Sequence, residues 1–220
     1  KNGSLIFDTI LNSNGRFTSI HPYQNDLYLT FYFNPISGFD DILCFKFDTN
    51  FVFQTGSIIG RAIPQKSKFI DDSLIFYLGV VPPPFPNSVF SAYAAIYNIN
   101  SNQVFENIFF TEIDSIELSD VIRIDRGKYH VFSNSPSSAT QSNITVNYLD
   151  DSLRNYRTIL LKSSYGLFGS DSSLLMNANA IYDSNEIRLS CIANHPTYLN
   201  QSNPLDLAFI RYDTNYTEKS

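Results

Sequence analysis

Phe47-Asp48-Thr49-Asn50 is the stretch that decides the fold, because closely similar stretches recur along the chain. Each copy is an apolar run that ends near an aromatic residue and is followed by a polar turn. The other copies are Tyr97-Asn98-Ile99-Asn100, Tyr148-Leu149-Asp150-Asp151 and Tyr212-Asp213-Thr214-Asn215. Asp and Asn favour turns because their side chains bond the nearby backbone. The sequence is therefore organised as a repeat of about fifty residues.

The residues around each copy repeat as well, and they predict four short strands per unit. The predicted first strands lie near 16–21, 67–70, 120–124 and 177–182, and the second strands at 26–33, 73–80, 128–133 and 186–193. The predicted fourth strands are 51–59, 103–110, 153–161 and a truncated one from Tyr216. A composition with 19 Phe, 14 Tyr and a single Met fits strands better than helices.

Four antiparallel strands repeated in this way resemble the blades of a β-propeller across essentially the whole chain. The resemblance implies an all-β fold with four four-stranded blades, near 16–59, 67–110, 120–161 and 177–220, in a single domain 1–220 or a fragment of one. Residues 4–11 then resemble the outer strand of a neighbouring blade. Two arrangements stay open: a closed four-bladed ring, or part of a six- to eight-bladed ring. The alternative fold is a pair of β-sandwich domains split near 111–120.

No propeller subfamily can be assigned from the motifs. The chain has no Trp, which separates it from the Trp-Asp repeats and from the Asp-box propellers of sialidases. It also lacks the paired glycines of kelch blades. No family's functional residues can therefore be transferred to these positions. Propellers mostly serve as interaction platforms, and applying that role to this chain is an analogy.

The predicted long connections lie on one face of the disc, where binding residues are expected. They are 34–41, 82–88, 134–142 and 194–204 within the units, and 56–66, 111–119 and 163–173 between them. Exposed aromatic residues in these loops are the candidate partner contacts. They are Phe39, Phe85, Tyr165, Phe168 and Tyr198. Glycosylation sequons at Asn143 and Asn200 are predicted to lie in long loops of the same face.

The sequence supports no catalytic, cofactor or transition-metal site. His21, His130 and His195 are predicted to be solvated or turn residues, since no metal-ligand spacing links them. Calcium at one of the paired aspartates stays open. Cys44 and Cys191 are predicted to be buried free thiols, although a closed four-bladed ring would make them neighbours.

Charge and hydropathy exclude further classes of function. A net charge of -6 with no basic run argues against nucleic-acid binding. A membrane span is not predicted, because the sequence has no run of about twenty apolar residues. The leading prediction is a non-enzymatic interaction or structural scaffold, extracellular or at the cell surface, whose partners are other proteins or a larger surface assembly such as a filament. The alternative is a carbohydrate-active propeller, either a lectin or a glycoside hydrolase.

Overall fold

The computed structural model describes residues 15–33, 41–81, 91–109, 117–138, 141–161, 175–194 and 205–219. This part of the chain contains fifteen strands and no helix. The strands are β1 Gly15–Tyr23, β2 Asp26–Phe33, β3 Asp41–Asp48, β4 Phe53–Arg61, β5 Ile63–Asp71, β6 Leu74–Val81, β7 Ser91–Asn98, β8 Gln103–Phe109, β9 Glu117–Asp125, β10 Lys128–Ser138, β11 Gln141–Leu149, β12 Asn155–Leu160, β13 Leu175–Asp183, β14 Glu186–Asn194 and β15 Leu205–Tyr212. The prediction of an all-β chain is confirmed.

The strands form four antiparallel sheets in chain order. Sheet 1 is β1-β2-β3-β4, sheet 2 is β5-β6-β7-β8, sheet 3 is β9-β10-β11-β12 and sheet 4 is β13-β14-β15. In sheet 4, a single bridge between Tyr212 and Glu218 stands where a fourth strand begins in the other sheets. Each sheet is a meander, in which every strand pairs with the strand before it.

The recurring polar turn has the same backbone structure in sheets 1, 3 and 4. The Oδ1 atom of Asp48 accepts hydrogen bonds from the amides of Asn50 and Val52, at 2.8 and 2.9 Å. Asp150 and Asp213 accept the amides two and four residues further along, at 2.8 to 2.9 Å. The carboxylate thus satisfies turn amides that no strand pairs, which explains why Asp recurs at this position.

Strand register gives the correct alignment of the copies. Phe47 pairs with Phe53, Leu149 with Asn155, and Tyr212 with Glu218, so each pair spans the same turn. Leu149, and not Tyr148, is therefore the equivalent of Phe47. The predicted fourth strands at 51–59 and 153–161 began two residues too early, because their first two residues belong to the turn.

One residue of each turn has a positive φ, and in three sheets it contacts the preceding sheet. Leu153 (φ 55°) is fully buried among residues of sheets 2 and 3, and the Oη atom of Tyr216 (φ 62°) lies 2.9 Å from Nδ1 of His130 in sheet 3. In sheet 2, Oδ1 of Asn102 (φ 54°) accepts a 2.7 Å hydrogen bond from Ser57 of sheet 1. The equivalent in sheet 1 is Phe51 (φ 60°), which is 41% exposed. We call these four residues the wedge residues.

Three apolar cores join the sheets face to face. Sheets 1 and 2 share a cluster around Ile42 and Tyr77, and sheets 3 and 4 share one around Phe132 and Leu189. Sheets 2 and 3 share a cluster around Leu78 and Val131. This last core spans the point at which tandem sandwich domains would divide, so the alternative with a split near 111–120 is wrong.

Two predicted connections are strands. Residues 56–66 were expected to be a long connection, but only Ala62 separates β4 from β5. Gly56 suits a strand because it lies under the Phe45 ring, where a Cβ atom would come within 2.7 Å of Cδ1. Pro64 lies at a register shift of β5, where proline is tolerated. Within 134–142, residues 134–138 belong to β10 and 141–142 to β11, and Pro136 lies at a register shift of its own.

The first strands are longer than predicted, since β1, β5, β9 and β13 each contain nine residues. The domain bounds and the role of residues 4–11 stay predictions, and 4–11 lies outside the described residues.

Candidate functional sites at the inner strands and the outer cleft

The first strands of the sheets lie side by side at the inner end of the arrangement. β5 packs against β1 and β9, and β9 packs against β13. Within the described residues, β13 and β1 make no comparable contact. We therefore refer to β1, β5, β9 and β13 as the inner strands, and to β4, β8 and β12 as the outer strands.

A charged pair on the inner strands connects three sheets. Lys68 of β5 donates from Nζ to Oδ2 of Asp120 in β9 at 2.9 Å and to the carbonyl oxygen of Ala180 in β13 at 2.8 Å. The same Oδ2 atom accepts the amide of Ala180 at 2.7 Å. Asp120 is 2% exposed. Sheets 2, 3 and 4 are therefore joined through one buried carboxylate.

Further side chains extend this inner-strand polar network. Ser67 lies 3.0 Å from Nε2 of His21 and 2.5 Å from the hydroxyl of Ser19, which links β5 to β1. Lys66 donates to Oδ1 of Asn179 at 3.2 Å. Gln65 accepts the amide of Leu118 at 2.6 Å. Inner strands are sheet edges, whose backbone groups have no partner strand on one side, and Gln65 satisfies one such group, the amide of Leu118.

The network retains hydrogen-bonding capacity. Within the described part of the chain, Oδ1 of Asp120 is buried and has no hydrogen-bond partner. A lysine ammonium has three N–H donors, and Lys68 directs two of them at Asp120 and Ala180. One donor and one acceptor thus lie on neighbouring groups, an arrangement that suits a hydroxyl group or a water molecule.

Three histidines were predicted to be solvated or turn residues; this is wrong for His21 and His130, and His195 lies outside the described residues. His21 lies in β1 and His130 in β10, and both are buried. The His130 ring packs 4.3 Å from the Tyr148 ring, and His21 contacts Phe69. Burial lowers the pKa of each histidine to about 4. The signal missed in the sequence is that both lie in apolar strands.

These histidines are expected to make the protein less stable at mildly acidic pH. Between pH 6.5 and about 4, the unfolded chain binds protons at His21 and His130 that the folded chain does not, so stability falls as pH falls through this interval. Each of the two histidines contributes up to about 3 kcal/mol to this loss of stability. Urea unfolding at pH 7.0 and pH 4.5 measures the loss. His130→Gln should reduce it, and an unchanged pH dependence would contradict this assignment.

A cleft of about 590 Å³ lies between β4 of sheet 1 and strands β7 and β8 of sheet 2. Its lining includes Ile58, Arg61, Tyr93, Glu106 and Ile108. Ile58 is 66% exposed and Ile108 is 48% exposed, so two aliphatic side chains meet solvent beside a carboxylate. We call this recess the outer cleft.

Hydrogen bonds fix the wall of the outer cleft. The Tyr93 hydroxyl donates to Oε2 of Glu106 at 2.5 Å and lies 3.1 Å from the carbonyl oxygen of Ile59. Burial, and then the Glu106 carboxylate, raise the pKa of Tyr93. Gly60 leaves the necessary room, because a Cβ atom there would lie 1.8 Å from the Tyr93 hydroxyl. The carboxylate is therefore held in place at the cleft, while Arg61 pairs with Asp41 at 2.9 Å.

The predicted binding residues are not brought together in the described part of the chain. Phe39, Phe85, Tyr165, Phe168, Tyr198 and the sequon residue Asn200 lie outside the described residues. The segments that contain Phe39, Phe85 and Tyr198 connect second to third strands, and residues 162–174 connect sheets 3 and 4. The described strands that precede these segments all end on the same side of their antiparallel sheets. Asn143 lies in β11 opposite Ser135, so its predicted loop position is wrong.

The remaining candidate groups have structural roles. Cys44 and Cys191 are buried free thiols, as predicted, and burial raises the pKa of each to about 11. Two of the acid pairs cap turns: Asp71 accepts the Asp72 amide and pairs with Arg123, and Asp150 accepts the amides of Ser152 and Arg154. The described residues contain no group of three or more His, Cys, Asp or Glu side chains that could hold a metal ion. In the same residues, no helix is long and apolar enough to cross a membrane.

Solved structures with the same arrangement of sheets establish the fold. A neuraminidase-like protein from A/bat/Guatemala/164/2009 matches 91% of this chain with a TM-score of 0.54 and 11% identity. A Synechocystis apocarotenoid oxygenase (ACO) variant matches 88% with a TM-score of 0.53, and an ACO/RPE65 chimera matches 88% with 0.52, both at 10% identity. The fold is a β-propeller.

At this level of identity the likeness concerns the fold alone. This chain spans 52% of the neuraminidase-like protein and 45% of each oxygenase chain, about half of each. No protein-family model matches the sequence, and no curated protein matches it. The propeller's subfamily therefore stays unassigned.

Sequence reasoning missed both candidate sites. Lys68, Asp120 and Ala180 lie in three different units, and only the packing of the inner strands brings them together. The outer cleft combines β4 with β8, and its floor depends on Gly60 in a segment predicted to be a connection.

Proposed function

We propose that this propeller is a non-enzymatic interaction scaffold that binds an extended peptide segment in the outer cleft. The observation that carries the proposal is the pair of exposed aliphatic side chains, Ile58 and Ile108, beside the fixed carboxylate of Glu106. Aliphatic walls suit an apolar side chain, and the carboxylate suits a Lys or Arg of the same segment. The size of the cleft fits a few residues.

Peptide selection tests this function. Panning a phage-displayed library of linear peptides on the purified chain should enrich sequences with a basic residue close to a bulky aliphatic one. Ile108→Asp should lower the affinity for the selected peptides about tenfold or more, because it places a charge on the apolar wall of the cleft. Glu106→Gln can still accept the Tyr93 hydrogen bond, so it should remove only the preference for a basic residue.

Leu160→Asp is the matched control. Leu160 is 49% exposed on β12, close to the 48% of Ile108, and it lies outside the cleft. Peptides that bind Ile108→Asp and Leu160→Asp equally well would contradict the proposal. The predicted loop-face contacts can be tested in the same assay with Phe85→Ala and Tyr198→Ala.

A carbohydrate-active function is the second candidate. It is supported by the fold likeness to a neuraminidase-like protein and by the unused acceptor of Asp120 beside the ammonium of Lys68. A glycan array and a screen with fluorogenic glycosides separate the two candidates. Glycan binding that Lys68→Met abolishes would favour the second candidate. If glycans are neither bound nor hydrolysed, the peptide scaffold is the better account.

An extracellular or cell-surface location remains part of the proposal. Its support is compositional: 16% charged residues, with 22 Asn and 27 Ser supplying most of the polarity. The intact mass of the native chain before and after glycosidase treatment tests it, together with modification at Asn143 or Asn200.

A further inference from the structure

The interfaces between sheets all have the same direction. Each sheet packs with one face against the sheet that follows it in the chain, and with its other face against the sheet that precedes it. We call these the forward face and the rear face. The rear face of sheet 1 and the forward face of sheet 4 are left without a described sheet against them.

The rear face of sheet 1 is apolar in three successive cross-strand rows. Residues that pair across antiparallel strands point to the same side of the sheet. The rows are Leu27–Phe47–Phe53, Ile20–Leu29–Phe45 and Phe31–Leu43–Ile58. Ile20 and Phe53 are 56% exposed and Ile58 is 66% exposed. Leu29, Phe31 and Phe47 of these rows are themselves buried, so the exposed apolar part of the face lies around Ile20, Phe53 and Ile58, and such a patch is typical of an interface.

The forward face of sheet 4 also exposes large apolar side chains. Ile181 and Leu207 are 63% exposed and Phe209 is 70% exposed. The two arginines of this face, Arg188 and Arg211, both bind the carboxylate of Glu186, at 2.8 to 3.0 Å. Charge on this face is therefore partly neutralised, which lowers the cost of covering it.

We propose that two copies of this chain associate head to tail, with the forward face of sheet 4 in one copy against the rear face of sheet 1 in the other. The contact repeats the direction of the three interfaces within the chain. A second copy is the occupant because one chain contains both complementary faces. Two chains then give eight sheets, which is within the range of closed propellers, and the ring closes with two equal interfaces.

The oligomeric state tests this inference. Sedimentation equilibrium of the 220-residue chain, 25.0 kDa, should give about twice that mass. Phe209→Asp and Phe53→Asp should each give monomers, because each places a charge in both interfaces of the ring. Leu160→Asp, on the outer strand of sheet 3, should remain a dimer. Circular dichroism would establish that each variant is folded.

Mixing the two monomeric variants separates this arrangement from others. In a mixed pair one interface combines both substitutions and the other combines neither, so Phe209→Asp and Phe53→Asp chains should dimerise with each other but not with themselves. A symmetric contact of sheet 1 with sheet 1 would be insensitive to Phe209→Asp. A wild-type chain that stays monomeric at tens of micromolar would overturn the proposal. Ile58 belongs to both the rear face and the outer cleft, but Phe209→Asp and Phe53→Asp lie outside the cleft, and Ile108→Asp and Glu106→Gln lie outside the two faces, so each proposal can fail alone.

Discussion

Asp120→Ala is expected to lower the free energy of unfolding by about 3 to 5 kcal/mol, the range found when one partner of a buried ion pair is removed. The substitution leaves the Lys68 ammonium without its carboxylate and the Ala180 amide without its acceptor. Both groups lie at the junction of three sheets. Urea unfolding at pH 7 measures the change.

Asp125→Ala is the control for this substitution. Asp125 forms an ion pair with Lys128 at 3.7 Å, and both side chains are at least 60% exposed. Exposed pairs contribute little, so a change below about 0.5 kcal/mol is expected. If Asp120→Ala were no more destabilising than Asp125→Ala, the inner-strand polar network would contribute nothing to stability.

Leu153→Ala is the second large effect, with an expected loss of about 3 kcal/mol. Leu153 is fully buried between sheets 2 and 3, where truncation leaves a cavity that the packed sheets cannot close. The loss should appear in the same urea experiment. It should also raise the unfolding rate, unless this interface already forms in the folding transition state.

Phe51→Ala provides a matched comparison, because Phe51 occupies the same position of the same turn. Its φ of 60° is close to the 55° of Leu153, so the left-handed backbone costs both residues a similar amount. Phe51 is 41% exposed, and its truncation should cost less than about 1 kcal/mol. Alanine keeps the same left-handed backbone at both positions, so only the side-chain contacts change, and equal losses for the two variants would contradict the assignment of the Leu153 effect to burial between sheets.

The fold could be predicted from the sequence because its signals are local. Alternating apolar residues in 26–33 and the polar turn after Phe47 specify a meander without reference to distant residues. The mistakes also have local causes. Gly56 and Pro136 suggested connections, but Gly56 is packed under an aromatic ring and Pro136 lies at a register shift.

The candidate sites could not be predicted because they depend on contacts between units. Nothing near Asp120 in the sequence indicates that its carboxylate meets a lysine 52 residues earlier and an amide 60 residues later. The histidines show the same limitation, since His130 is buried partly by the wedge residue Tyr216 of the next sheet. Side-chain pairs of this kind follow from how sheets pack.

The side chains that cross from β5 to β13 have a consequence for how the molecule comes apart. In a linear array of repeats each unit touches only its neighbours, so the end units can fray one at a time. Here Lys66 contacts Asn179 and Lys68 contacts Ala180, which couples the second sheet directly to the fourth. Detaching the fourth sheet therefore breaks bonds to two others at once. The chain gains cooperativity from a few lysine contacts, and partial unfolding from that end becomes a rarer event.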